Sequence, residues 1–457
     1  MSSSASLAFR VGRAEYVIHV EGWVDLQVAH PAETPTPPPL DVLYRQAVDS
    51  PAGGLPLCER VRAGQRVAVL FDDASRPTPT ATLFRLLAAD LCRAGVAEDD
   101  IIPVYAPGLH QIDDRQPDTK YGNLLEHPHL VRHNFRTSKL SYRGVTSRAV
   151  PVFVNSVLDE VDLAIGLGQI TPHMDAGFGG GGKIILPGVS GKPTVEQNHA
   201  FMLAPGSRLA KIEGNPVRED MDEAAALTNL GFIVNTVTDN QGRIAHVAAG
   251  DPLPAHRAGA AAKMDLLRFS VSEPVDVAIV LTDADYLLAA MGPMLYADRA
   301  VRLGGEIVVA APSRLGWAAR PDVDAELVPD VSLMRKSAAE LAWIVADRDV
   351  SALRLATTVF NYRRTAEEKR VTLVSESYGP ADASAFGFEH AVSVQVALER
   401  ALARCGRPAR VLVMPEPQRT LPVLPVLEGV VWRVDSYAEA TSAGTARSLA
   451  GIAATGT

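Results

Sequence analysis

Short runs of Val, Ile and Leu alternate with helix-patterned stretches through most of this chain, and no other feature restricts the fold as much. RVAVLFDD (66–73) reads as a buried strand ending in acids, and TATLFRLLAADLCRAG (80–95) as a helix closed by Gly95. IIPVYAPG (101–108) is a second strand, running into a loop that carries His110. VDLAIGLGQI (161–170) is another, and it delivers His173 just past its carboxyl end. Buried strands joined by helices imply a parallel sheet with helices on its faces, the α/β class. Ligands of such open sheets bind outside the carboxyl ends of the strands. His110, His173 and the group following Phe71 therefore fall where a site belongs.

A second α/β pattern begins near residue 272. VDVAIVLTDAD (275–285), a helix around Tyr296 to Leu303 and GGEIVVAAP (304–312) form one unit; SVQVALERALARCG (393–406) with ARVLVMP (409–415) form another. At 457 residues the chain exceeds one ordinary core. The expected division is an N-terminal domain over 1–270 and a C-terminal α/β domain over 271–457, mostly parallel sheets with a cleft between them. PAETPTPPP (31–39) reads as an extended connector after a short β-like stretch from Tyr16 to Val28. The small, polar tail from Ala440 is expected to fray.

A formal charge of −9 argues against a nucleic-acid partner, although a local arginine or lysine site can still hold an anion. Cys58, Cys92 and Cys405 lie far apart with no C-x-x-C, which fits a reducing compartment and incidental thiols. Arg10, Arg13 and Glu15 stand where a signal peptide needs an apolar core, and no run approaches about 18 apolar residues. A cytoplasmic protein without a membrane span is expected.

The chemistry concentrates in TPHMDAGFGGGGKIILPGVSGKPTVEQNH (171–199). Gly179, Gly180, Gly181 and Gly182 give a backbone that no side chain screens from a large anion, and Lys183 adds an amine there. His173 precedes this loop and His199 follows it. Gly177 to Lys183 satisfies G-x-x-x-x-G-K, but Ile184 replaces the hydroxyl that would hold Mg²⁺, and Pro187 stops the helix that should receive phosphates. A nucleotide hydrolase is the weakest reading. In DDASRPTP (72–79), Arg76 suits a two-pronged grip on a carboxylate or phosphate, with Ser75 and Thr78 as hydroxyl donors; a helix cap with a surface ion pair is the bland alternative. His110 and His173 follow strands of one sheet and suit acid/base work on either face of a carbon. His127, His129 and His133 lack the acid or cysteine that would complete a zinc site.

Four segments together resemble the nickel-pincer lactate racemase family: Asp73 to Arg76, Gly108 to His110, the loop 173–183 with its Pro-Gly exit, and His199. The resemblance runs through most of the chain, including ARVLVMPEPQRTLP near its end. It implies a racemase or epimerase of a small anionic 2-hydroxy acid, with a catalytic and cofactor-binding N-terminal domain. It also implies a nickel-pincer nucleotide, a pyridinium mononucleotide holding nickel through one carbon and two sulfurs, supplied by cofactor-synthesis proteins. On this pattern Lys183 tethers the cofactor, His199 completes the nickel square plane, and Asp73, Ser75 and Gly179 to Gly182 lie against the cofactor. Arg76 holds the substrate carboxylate or part of the cofactor. His110 and His173 are the paired acid/bases while the α-hydrogen moves as hydride to the pincer carbon and back.

This chain departs from the pattern in places. Gln111 follows His110 where the family has arginine. Leu287, Leu288 and Met291 stand where the family places a tyrosine–glutamine pair and a lysine on the substrate, so lactate itself comes into question. Tyr286, Tyr296, Arg299, Asp283 and Asp285 are the nearby groups able to substitute. Rival readings are a cofactor-independent two-base racemase and a non-catalytic protein that binds the cofactor or an acid.

Overall fold

The computed structural model describes residues 4–110, 118–314, 331–346 and 350–425; Gln111 and the tail from Ala440 lie outside them. Two six-stranded sheets organise the chain. In the first, the strand order is Ile244–Gly250, Leu230–Thr238, Leu163–Gln169, Val67–Phe71, Ile101–Tyr105 and Val131–Arg132. Its pairings are parallel except between Leu230–Thr238 and Ile244–Gly250. The apolar runs are central strands because both their faces are covered: Val67 to Phe71 are all buried. Thr80–Arg93 packs on one face through Leu83, Leu87 and Leu91 and stops two residues before Gly95, whose φ is +97°.

Chain order reverses beside Val67–Phe71: the strand 101–105 is added on one side and 163–169 on the other. The carboxyl ends of these three strands therefore meet at a switch point, the place where open α/β sheets bind ligands.

The second sheet runs Glu389–His390, Arg370–Val374, Val301–Ala310, Val275–Leu281, Ala409–Met414 and Val24–Val28, all parallel. Its first helix is Leu287–Asp298, earlier than the stretch expected around Tyr296 to Leu303. Val301–Ala310 is a strand there because its carboxyl half fills the sheet core between two parallel neighbours. The N-terminus also departs from the expected division near residue 270. Val24–Val28 pairs residue by residue with Ala409–Val413, and the preceding hairpin lends Phe9, Ile18 and Val20 to the second sheet's core. The proline-rich connector crosses to the first sheet's side, where Arg243 Nη2 donates to the Thr34 carbonyl at 3.1 Å. Among the described residues no helix is long and apolar enough to cross a membrane.

Candidate active site

A cavity of about 480 Å³ opens at the switch point. Arg76, His110, His173, Lys183 and His199 all line it, together with Asp73, Ser75, Gly179, Gly180 and Gly181. Segments more than a hundred residues apart in sequence meet here because each follows the carboxyl end of a neighbouring strand, or the helix Lys192–Ala200 packed beside it.

Asp73, expected against the cofactor, makes its described contacts within the protein. Its Oδ2 pairs with His110 Nδ1, and its Oδ1 accepts from the Ser75 hydroxyl and, at 2.8 Å, from the Ser75 N–H. Burial alone would raise this carboxyl, yet the hydrogen bonds from His110 and Ser75 outweigh it and hold the group below the usual carboxylate range. With Nδ1 directed at Asp73, the lone pair of neutral His110 is left on Nε2. Asp72 and Lys120 brace the same loop. Lys120 Nζ donates to Asp72 Oδ1 at 2.8 Å and to the Arg76 carbonyl at 2.8 Å, and Thr78 Oγ1 donates to Asp72 Oδ2 at 2.7 Å.

His173 is held differently. Its Nδ1 accepts from the backbone N–H groups of Asp175 and Ala176, each at 3.2 Å. Burial first, then the charges of Lys183, Arg76 and Arg218, push its pKa well below the ordinary histidine range. The two histidines thus share a cavity with the same nitrogen engaged in opposite senses: neutral His110 donates from Nδ1 to Asp73, whereas His173 accepts at Nδ1.

The glycine loop is built from inside the protein more than toward a ligand. Gly180 and Gly181 have φ of +75° and +62°, and an added Cβ would lie 2.7 Å from Asn235 Oδ1 and 2.8 Å from the His256 ring. Gly182, expected on the cofactor, faces Met221 and Ala225 and does not line the cavity. Arg218, fully buried, clamps the loop. Its Nε donates to the Ala176 carbonyl at 3.2 Å, its Nη1 to Gly180 at 3.2 Å, and its Nη2 to Phe178. His256 Nε2 bonds the Gly179 carbonyl at 3.0 Å and Asn235 Oδ1 accepts from the Gly181 N–H at 2.8 Å. Lys183, inside this clamp, has its amine pushed down to about 7 by burial and by Arg76 and Arg218, with Asp175 and Asp73 pulling the other way.

From the second domain, Thr357 and Thr358 of the helix Val350–Glu368 complete the described lining. Leu287 and Met291 lie in the second sheet's core instead, with Leu288 packed against it. None of the substitutes considered lines the cavity among the described residues. Tyr296 is buried in that core, Arg299 donates to the Leu209 carbonyl at 2.8 Å, and Asp285 pairs with Arg314 at 3.6 Å while Asp283 is exposed. His133 is structural: buried, its pKa lowered to about 4 by burial, its Nε2 bonds the Ser190 carbonyl at 3.0 Å. His129 is exposed and His127 half-buried, and no group of three metal-ligating side chains occurs among the described residues.

Comparisons with known proteins point one way. Residues 12–210 match the lactate racemase N-terminal domain. The lactate racemase of Lactiplantibacillus plantarum is 28% identical over 390 residues, covering 81% of this chain and 88% of its own. That of Thermoanaerobacterium thermosaccharolyticum is 28% identical over 279 residues, covering 59% of this chain and 65% of its own length. The structure of the lactate racemase apoprotein from that organism superposes with a TM-score of 0.76 at 21% identity, covering 92% of this chain and 100% of the other, a likeness of fold. A Thermotoga maritima crystal structure follows at 0.58 and 17%, covering 86% and 100%. The chain is thus similar to lactate racemases in sequence, carries a match to their N-terminal domain over residues 12–210, and shares their fold.

Proposed function

We propose that this protein is an isomerase, a racemase or epimerase of a 2-hydroxy acid, working with a nickel-pincer nucleotide. The observation that carries the reading is that Arg76, His110, His173, Lys183 and His199 all line one cavity.

Two features suit such a cofactor. Among the described residues no three-ligand cluster exists, so a metal here would bring most of its own ligands and leave one place to His199. The Lys183 amine, at about 7, is half unprotonated near neutrality and so is nucleophilic enough to form an acyl-type tether. Lys183 would hold the cofactor, His199 would ligate its nickel, and Gly179 to Gly181 would lie along it. When bound, that group supplies hydride chemistry at the substrate's α-carbon. The chain's residues handle the charges and the protons. Arg76 grips the carboxylate. His110 takes the hydroxyl proton at Nε2, and Asp73 stabilises the resulting imidazolium through Nδ1–H. His173 presents its other nitrogen, Nε2, to the substrate oxygen. The wall of Thr357 and Thr358 carries no charge, which favours a substrate whose side chain is uncharged.

Turnover in heavy water is the test, run on protein co-produced with the cofactor-making enzymes and screened against 2-hydroxy acids. Racemised product that keeps its α-hydrogen, from protein carrying nickel and extra mass on Lys183, is the expected result. Exchange of that hydrogen in step with turnover identifies a cofactor-independent two-base racemase. A bare chain without nickel removes the cofactor altogether.

A further inference from the structure

Asp175 lies two residues past His173, buried at the seam between the two domains, and is 4% exposed. Its N–H is one of the two donors on His173 Nδ1. Its side chain points the other way: Oδ1 accepts from Asn361 Nδ2 at 2.7 Å, across 186 residues of sequence. Asn361, 1% exposed, belongs to the helix Val350–Glu368 of the second domain. Arg364 Nη2 donates to Asn361 Oδ1 at 2.8 Å. A guanidinium has no acceptor, so the amide oxygen must face Arg364 and the amide NH₂ must face Asp175. The hydrogen bonds therefore run unbroken from a buried cation of the second domain to the ring of a histidine in the first domain's cavity.

Other groups also hold the turn 173–176. Asn215 Nδ2 donates to the Asp175 carbonyl at 2.7 Å, and Arg218 Nε to that of Ala176 at 3.2 Å. Both grip carbonyls, and both come from the first domain. The Asp175 side chain is what the second domain holds. The same helix presents Thr357 to the cavity, and the Thr357 carbonyl accepts from Asn361 Nδ2 at 3.2 Å. A shift of this helix thus moves the cavity wall and the hold on Asp175 together.

A ring nitrogen that accepts from two backbone N–H groups carries no hydrogen of its own, so neutral His173 bears its hydrogen on Nε2. In that form it donates to a substrate oxygen but accepts no proton. Acting as a base requires the two N–H groups to leave Nδ1. We infer that Asn361 is a positioning residue for His173: docked on Asp175, it keeps the turn 173–176 closed on Nδ1 and so lets the seating of the second domain decide which ring nitrogen bears the hydrogen. Only the catalytic consequence rests on the proposed function; the state of the ring does not.

Nitrogen-15 NMR of the full-length chain labelled at histidine, without substrate, reads that state directly, with His173→Gln assigning the ring. The wild-type ring is expected to show an unprotonated Nδ1 and a protonated Nε2. In Asn361→Ala a second set of signals with the hydrogen on Nδ1 appears, while the His110 signals stay in place. Combining Asp175→Asn with Asn361→Asp reverses the polarity of the bond but keeps it, and restores the wild-type spectrum. A folded Asn361→Ala protein with unchanged His173 nitrogens overturns the inference, and so does a wild-type ring with its hydrogen on Nδ1. Because no turnover is involved, failure of the racemase reading leaves either outcome legible.

Discussion

At the scale of single residues, the charges around the cavity set two predictions. Asp73 holds His110 through Nδ1, with Ser75 bracing the same carboxylate. Asparagine at this position still fits the space but cannot stabilise an imidazolium. Asp73→Asn is therefore expected to lower kcat by about 10²–10⁴-fold with a much smaller change in KM, which steady-state kinetics on the loaded enzyme would check. Lys183 gives a stability prediction with a definite sign. Its folded pKa lies near 7 against 10.5 for a free lysine, so the unfolded chain binds the proton more tightly between those values. Stability then rises with pH across that window, and below it the buried charge is a full liability. Lys183→Met should raise the unfolding midpoint most below pH 7, and the gain should shrink as pH climbs toward 10.5. Denaturant titrations of the cofactor-free protein at several pH values measure it; a gain independent of pH would mean that the amine keeps its ordinary pKa in the fold.

At the scale of elements, the loop 177–183 shows what a local pattern discloses and what it hides. Its glycines, its lysine and the flanking histidines are legible because they are contiguous. The reason for the glycines is not, because the atoms that forbid a Cβ come from Asn235 and His256, more than fifty residues on. Arg218 was silent in the sequence for the same cause: its guanidinium serves three carbonyls of a loop about forty residues earlier. Thr357 and Asn361 carry no local signal at all, since their helix reaches the cavity only after two domains have packed. Gly181→Ala joins a left-handed φ to a contact with the His256 ring, so it should destabilise by about 1–3 kcal/mol. It should also displace Lys183 and reduce cofactor retention, read by intact mass. Gly242, equally left-handed in φ but with nothing within 4 Å of an added Cβ, is the control: Gly242→Ala should retain cofactor as wild type does.

At the scale of the whole molecule, the alternation of strands and helices disclosed two parallel sheets, but not which sheet the first residues join. A strand before a proline-rich connector has two edges to choose from, and sequence order favours the nearer domain. The edge beside Ala409–Met414 wins because that strand would otherwise present unpaired backbone groups, and because the hairpin of Ala5–Val11 and Ala14–Val20 covers an apolar face of the same sheet. Ala29 closes the pairing, its N–H donating to the Val413 carbonyl at 2.8 Å. Removing residues 1–29 should therefore injure the far end of the chain. Hydrogen exchange is expected to accelerate in Ala409–Met414 and Val275–Leu281, while Val67–Phe71 and Leu163–Gln169 keep their protection. The helix Val350–Glu368 packs on the weakened sheet and carries Asn361, so the Asp175 contact should loosen with it. Equal loss of protection in both sheets would instead mean that the domains unfold as one cooperative unit. A truncation confined to the N-terminus would then reach the cavity through global unfolding, with no separate path through the second domain.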